Sequence, residues 1–191
     1  MPFDLIETEL DGPKLLQPKV FGDHRGFFVE TYRRSDMMAL GIHEEMVQDN
    51  HSRSTRGVLR GLHFTVGRGA GKLVRCARGA IYDVLVDLRR GSPTYGQWEG
   101  YELTDENLRV LYAPPGFGHG FCVLSDVADV VYKLDAYYDP ATERDVSYKD
   151  PQIGVRWPLG DDELLVSQRD VDAPLLAEIA DGLPFEYVGE R

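Results

Sequence analysis

The chain has few cysteines and no motif typical of a zinc site or a disulfide scaffold. Its 191 residues include two cysteines, Cys76 and Cys122, which lie far apart among apolar or small residues. No Cys-x-x-Cys pair and no Cys/His cluster with zinc spacing is present. A lone pair of distant cysteines is more typical of a protein in a reducing compartment than of a disulfide-bonded one. We therefore expect two buried free thiols rather than a disulfide.

The sequence also lacks a long apolar segment. No stretch approaches the roughly 20 apolar residues that span a bilayer. Residues 1–5 contain neither a basic region nor the start of an apolar region, as a signal peptide would require. We expect a cytoplasmic protein without a membrane span.

Positive charge is in deficit. The sequence contains 21 Lys and Arg residues but 32 Asp and Glu residues, which gives a formal net charge of −11. Binding along a nucleic-acid backbone requires a basic surface that releases counterions, so the composition argues against DNA or RNA as a partner. Arginines nevertheless concentrate in the first half of the chain, and arginine binds phosphate or carboxylate oxygens in a bidentate manner. The arginines are Arg56, Arg60, Arg68, Arg75 and Arg78.

Long amphipathic helical segments are absent, whereas short strand-like segments recur. Most of these segments are bounded by Gly, Pro, Asp or Ser, which is typical of an antiparallel sandwich or barrel. We predict a mainly β fold with peripheral helices. No repeat, low-complexity tract or shift in composition divides the chain, so we expect one domain over residues 1–191. The predicted strands are 47–50, 58–65, 72–77, 80–87, 95–103, 108–112, 120–124, 130–138 and 145–148.

Two short helices are predicted from capping signals. Ser35 is a candidate N-cap for a helix that ends at Leu40, before Gly41. Asp172 is a candidate N-cap for a second helix that ends near Ala180. Neither helix is long enough to form a bundle.

Alternation along the strands predicts which side chains face the interior. Tyr132 falls on the same face as Val130 and should point inward. Lys72 falls on the same face as Val74 and Cys76, which is an unusual place for an ammonium group without a partner or ligand. At a strand end, however, a lysine can also extend into solvent. Both readings of Lys72 remain open on this pattern.

The five histidines do not form the pattern of a metal-binding β-barrel. Such barrels place two histidines two positions apart on one strand, but the residue two positions after His63 is Thr65. His63 is either a core histidine or a general base, a role that suits imidazole because it exchanges protons near neutral pH. The pair Tyr137-Tyr138 is either packing or an aromatic surface for a flat ligand.

Several motifs occur in a fixed order along most of the chain, from DHRG at 23–26 to SQRD at 167–170. Between these ends lie GVLRGLHF at 57–64, KLVRC at 72–76, VDLR at 86–89, GSPTYG at 91–96 and PGFGHGF at 115–121. An ordered series of motifs is far more specific than one short pattern. This series resembles that of the dTDP-4-dehydrorhamnose 3,5-epimerase family.

The resemblance implies a cupin-type jelly roll with a core of about 45–150, and a homodimer. It implies an isomerase that uses no metal or organic cofactor and acts on a dTDP-4-keto-6-deoxy sugar. The expected reaction converts dTDP-4-dehydro-6-deoxy-D-glucose into dTDP-4-dehydro-L-rhamnose. The alternatives are an epimerase acting at one carbon in another deoxysugar pathway, a non-catalytic sugar-binding protein and a metal-dependent cupin.

The resemblance also implies roles for individual residues. His63 would be the base, oriented by Asp170, and Tyr132 would be the acid on the other face of the sugar. Lys72 would lie near the C4 oxygen, and Tyr138 would stack on thymine. Part of the remaining substrate-binding set would come from the neighbouring subunit. That set is Arg25, Glu30, Gln48, Asp49, Asn50, Arg60, His119, Glu143 and Arg169.

Two positions depart from the family pattern. The segment 65–71, between His63 and Lys72, is richer in glycine than the corresponding loop of the family. Arg169 stands where many relatives carry lysine, a change that keeps the charge but alters the geometry of its hydrogen bonds.

Overall fold

The computed structural model describes residues 2–189, which fold mainly into antiparallel β-sheets. This confirms the prediction of a mainly β protein. The strands are β1 (Phe3–Ile6), β2 (Lys14–Pro18), β3 (Val20–Asp23), β4 (Gly26–Val29), β5 (Gln48–Thr55), β6 (Val58–Thr65), β7 (Lys72–Arg78), β8 (Ala80–Asp87), β9 (Trp98–Thr104), β10 (Val110–Ala113), β11 (Phe117–Val123), β12 (Val127–Leu134), β13 (Glu143–Asp145) and β14 (Leu165–Val166). The helices are α1 (Arg34–Ala39), α2 (Gln168–Val171) and α3 (Leu176–Ile179), followed by a 3-10 turn (Ala180–Gly182).

Two large sheets and one hairpin make up the architecture. The first sheet has the order β1-β2-β10-β7-β12-β5, and the second has the order β13-β6-β11-β8-β9, with β14 parallel to β6. Strands β3 and β4 form a separate two-stranded hairpin. Most neighbours within a large sheet are distant in sequence, as in the Greek-key connections of a jelly roll.

The main core lies between the two sheets. Val74 and Val130 of the first sheet pack with Leu85 and Phe121 of the second, and all four are buried. Alternation along β8 sends Val84 and Val86 to the opposite face, where a second buried cluster lies under the C-terminal part of the chain. A third cluster packs α1 on the back of the first sheet. Both sheets are therefore held in place from behind as well as from within.

Both cysteines are buried and unbonded to each other, as predicted. Burial raises the pKa of Cys76 and of Cys122 to about 11. The two thiols are therefore protonated packing groups at neutral pH.

The predicted start of the first helix is wrong. Ser35 lies inside α1, and Arg33 is the last residue with extended backbone before it. The carbonyl of Arg33 already accepts hydrogen bonds from the N–H groups of Asp36 and Met37, so the helix begins ahead of the serine. The predicted end is confirmed, because Leu40 is the C-cap and Gly41 follows with a positive φ of 78°.

The predicted cap of the second helix is also wrong. Asp172 ends α2, since its backbone N–H donates to the carbonyl of Gln168. The N-cap of α2 is Ser167, and α3 begins only after Leu175. Among residues 2–189, no helix is long and apolar enough to cross a membrane.

Candidate active site

A cavity opens between the two sheets, next to the apolar core. Strands β6, β7, β11 and β12 send side chains into it, and the segments after β12 and around β13 form its rim. The lining includes Asn50, Arg60, His63, Lys72, His119, Tyr132, Tyr138, Glu143 and Arg169. Nine residues that the sequence singled out are thus brought together.

His63 is paired with a buried carboxylate. It lies on β6, and its Nε2 is 2.5 Å from Oδ1 of Asp170 on α2. Ser167 caps α2 and its hydroxyl donates to Oδ2 of Asp170 at 2.8 Å. Burial alone would raise the pKa of Asp170, but the hydrogen bonds from His63 and Ser167 outweigh it and hold that pKa below its usual value. Asp170 is therefore ionised at neutral pH. The sequence analysis did not predict that Ser167 supports Asp170.

Lys72 points into the cavity, which decides between the two readings of its position on β7. Burial lowers its pKa, and the charges of Glu143 and Asp83 partly oppose that shift. Asp83 is fully buried on β8 and lies 3.0 Å from Nε2 of His119. Asp83 was not among the predicted site residues.

Tyr132 also lines the cavity, and β5 supports the site beside it. The register places Tyr132 opposite Asn50 on β5. Gln48 does not line the cavity, but its side chain donates to Oδ1 of Asn50 at 3.0 Å and accepts from the backbone N–H of Tyr138 at 2.9 Å. Gln48 therefore connects two residues of the cavity wall.

Arg169 is held between two carboxylates of β13. Its guanidinium donates to Glu143 at 2.7 Å and to both oxygens of Asp145 at 2.7 and 3.0 Å. These hydrogen bonds, first those to Asp145 and then that to Glu143, raise the pKa of Arg169 further. The hydroxyl of Tyr138 also donates to Glu143, whose charge raises the pKa of the phenol. Asp145 was not predicted as a site residue.

Three predicted site residues lie away from the cavity of this chain. Arg25 pairs with Asp23 in the hairpin, and Glu30 pairs with Arg33 just before α1. Asp49 faces the other side of β5 from Gln48 and Asn50, where it accepts a hydrogen bond from Lys133 at 2.8 Å.

One trio in the site has donor atoms of the kind that bind metals. A nitrogen of His63 and one oxygen each of Asp145 and Asp170 lie within 4.8 Å of one another. Tetrahedral ligands about 2.0 Å from a zinc ion are more than about 3 Å apart. The 2.5 Å between His63 and Asp170 is instead the length of a hydrogen bond, and Arg169 occupies both oxygens of Asp145. The arrangement fits hydrogen-bonded pairs better than a metal site.

The chain is similar to known epimerases along nearly its whole length. Residues 7–178 match the family model described as dTDP-4-dehydrorhamnose 3,5-epimerase. The enzyme of that name from Pseudomonas aeruginosa is 50% identical over 171 residues, which cover 89% of this chain and 93% of that protein. A dTDP-4-dehydrorhamnose 3-epimerase from Streptomyces niveus is 46% identical over 174 residues, covering 90% of this chain and 83% of that protein.

A solved structure extends this similarity to the fold. The crystal structure of dTDP-6-deoxy-D-glucose-3,5-epimerase from Legionella pneumophila, in complex with dTDP-4-keto-L-rhamnose, matches with a TM-score of 0.94 and 45% identity. The match covers 98% of this chain and 100% of that chain. The cupin-type fold expected from the sequence is confirmed.

Proposed function

The chain belongs to the dTDP-4-dehydrorhamnose 3,5-epimerase family of isomerases, and we propose that it inverts both C3 and C5 of dTDP-4-dehydro-6-deoxy-D-glucose. The product is dTDP-4-dehydro-L-rhamnose. The observation that carries the proposal is the hydrogen bond between ionised Asp170 and His63 in a cavity that also holds Lys72 and Tyr132.

His63 acts as the base. The ketone at C4 acidifies the C–H bonds at C3 and C5, because the electron pair released on deprotonation moves to the C4 oxygen. Asp170 holds the Nε2–H of His63, which leaves the other ring nitrogen free to accept the substrate proton. The carboxylate then stabilises the imidazolium that forms.

Lys72 stabilises the enolate oxygen. Its ammonium is buried, and a charge interaction is stronger in such an environment than in water. Negative charge develops on the C4 oxygen only when the proton is removed. The interaction with Lys72 therefore stabilises the transition state more than the bound ketone.

Tyr132 acts as the acid. Inversion requires that the carbon receive a proton on the face opposite to the one from which His63 removed it. Tyr132 lies on β12 of the first sheet, whereas His63 lies on β6 of the second, so the two side chains enter the cavity from opposite walls. The phenol donates its proton to carbon; before the next cycle the imidazolium of His63 releases the abstracted proton to solvent and the phenolate takes one up.

The nucleotide lies along the rim of the cavity. The cavity volume of about 260 Å³ is below the roughly 300–1,000 Å³ of typical ligand pockets, so it suits the sugar ring rather than the whole nucleotide sugar. Tyr138, which is 55% exposed at the rim, stacks on thymine. Within residues 2–189, the side chain of Arg60 donates hydrogen bonds only to the neutral hydroxyl of Ser54, so its charge is available for the diphosphate.

The working enzyme is a homodimer. The hairpin β3–β4 exposes Phe27 and Phe28, which are 60% and 67% exposed in the single chain. An apolar surface of this kind favours burial against a partner. In a dimer, Arg25 and Glu30 of one subunit complete the nucleotide site of the other.

One experiment separates two epimerisations from one. The purified enzyme is incubated with dTDP-4-dehydro-6-deoxy-D-glucose in deuterated water, and NMR locates the deuterium. We expect label at both C3 and C5. Label at one carbon alone would support a single-site epimerase like the Streptomyces niveus relative, and absence of label would exclude the epimerase reaction on this substrate.

A further inference from the structure

We propose that Arg68 and Asp135 are positioning residues that keep the Lys72 side chain inside the cavity; this inference rests on the role proposed for Lys72. We refer to the pair as the Arg68–Asp135 clamp. It joins the glycine-rich loop 66–71 to the end of β12, and neither residue lines the cavity.

The loop 66–71 connects the strand of His63 to the strand of Lys72. Its Gly67 and Gly69 have φ values of 79° and 78°, a region that other residues rarely adopt. A Cβ at Gly69 would lie 2.6 Å from Cβ of Pro115, so the loop is packed tightly there. Ala70 of the same loop lines the cavity. The loop is therefore a wall of the site, and its backbone has little intrinsic preference for one conformation.

Four hydrogen bonds converge on Asp135. Its carboxylate accepts from Arg68 at 3.1 Å and from the backbone N–H of Gly71 at 2.9 Å. Its backbone carbonyl accepts a second bond from Arg68 at 2.6 Å, and its backbone N–H donates to Gly71 at 3.2 Å. The carboxylate is 1% exposed, whereas the Arg68 side chain is 63% exposed. Arg68 thus supplies the charge that compensates a buried anion.

The clamp acts at the first residue of β7. Lys72 is paired in register with Leu134, and the bonds between Gly71 and Asp135 extend this pairing by one step beyond the strand end. Strand ends open most readily, because few interactions hold them. The clamp therefore stabilises the backbone next to the residue that must stay in place.

Lys72 needs such restraint because water is its preferred environment. Burial disfavours its charged form, and a lysine at a strand end can reach solvent if the backbone opens. Release of the clamp would let the ammonium leave the enolate position while Tyr138 and Arg60, which the clamp does not touch, still bind the nucleotide. The expected signature is a loss of turnover without a matching loss of nucleotide affinity.

The test compares Arg68→Ala, Asp135→Asn and Arg68→Lys with the wild-type enzyme. We expect Arg68→Ala and Asp135→Asn to lower kcat by about 10- to 100-fold, the cost of small misplacements in an active site. The Kd for dTDP should stay within about threefold, which is under about 0.7 kcal/mol. Arg68→Lys should recover part of kcat, because it restores the charge but not the forked geometry.

A second readout does not depend on catalysis. Each protein is treated with an amine-reactive reagent, and mass spectrometry measures modification at Lys72. We expect slow modification in the wild type and at least severalfold faster modification in Arg68→Ala. The matched control is Arg90→Ala, which removes an exposed arginine paired with Glu186 and should change neither kcat nor Lys72 reactivity.

Two results would overturn the clamp. One is an unchanged kcat in folded Arg68→Ala and Asp135→Asn, even with a lower melting temperature, since the pair would then be structural only. The other is equal Lys72 reactivity in all variants. If the wild type failed to epimerise the sugar, the proposed function would fail, but the reactivity comparison would still test the clamp.

Discussion

Lys72 occupies a position where an apolar side chain would be the more stable choice. Its neighbours on the same face of β7 are Val74 and Cys76, both buried in the main core. Desolvation of the ammonium lowers its pKa, and Asp83 and Glu143 offset only part of that effect. Lys72 therefore lowers the stability of the fold but provides a cation at the place where the proposed enolate forms.

Replacing Lys72 with Met should stabilise the fold and abolish activity. We expect the free energy of unfolding at pH 7 to rise by roughly 0.5–2 kcal/mol, and kcat to fall at least about 100-fold, as for other lost groups that stabilise a developing oxyanion. Urea denaturation and a turnover assay measure the two effects.

The stability gain should depend on pH. The pKa of Lys72 is lower in the folded protein than its ordinary value of 10.5, so the unfolded chain holds this proton more tightly. The resulting penalty is largest below the folded pKa, decreases as pH rises above that value, and is gone once pH exceeds the unfolded value near 10.5. The difference between Lys72→Met and wild type should therefore shrink toward alkaline pH, and a constant difference would show that Lys72 is not desolvated.

Among the strands, periodicity predicted much of the site but did not single out Asp145 of β13. The bounds of β6 and β8 agree with the sequence, and alternation placed Lys72 and Tyr132 on inward faces. By contrast, β13, for which the sequence predicted residues 145–148, spans Glu143–Asp145 instead and lies against β6 only through long-range pairing. Its Asp145 beside His63 therefore could not be read from local pattern.

The hairpin β3–β4 was likewise missed as a pair of strands. Its residues are largely exposed in the single chain, so it lacks the alternation of buried and exposed positions by which a strand is recognised. Family resemblance did single out Arg25 and Glu30 in this region, and the single chain places both outside the cavity. This is the arrangement expected if they serve a neighbouring subunit.

The double variant Phe27→Ser/Phe28→Ser should weaken the dimer. Both rings are mostly exposed in one chain, and burying such rings is a major source of association energy. We expect light scattering to show more monomer at micromolar concentration and activity to fall with the dimer fraction. The control is Val188→Ser, another exposed apolar residue, far along the chain. A fully active monomer would contradict the shared site.

At the scale of the whole molecule, charge is distributed unevenly. The net charge of −11 opposes nucleic-acid binding, yet Arg60, Lys72 and Arg169 line one cavity. Carboxylates compensate Arg169 closely, whereas Arg60 is held by a serine hydroxyl. The site thus keeps a local cation, available for the proposed contact with a diphosphate, inside an acidic protein.

The central claim is that His63 removes the proton and Tyr132 returns one on the opposite face. Solvent deuterium exchange and inversion at C3 are measured together by NMR for wild type, His63→Asn and Tyr132→Phe. We predict that His63→Asn loses exchange at least about 100-fold, while Tyr132→Phe retains exchange but loses inversion. Exchange by His63→Asn at the wild-type rate would contradict the account.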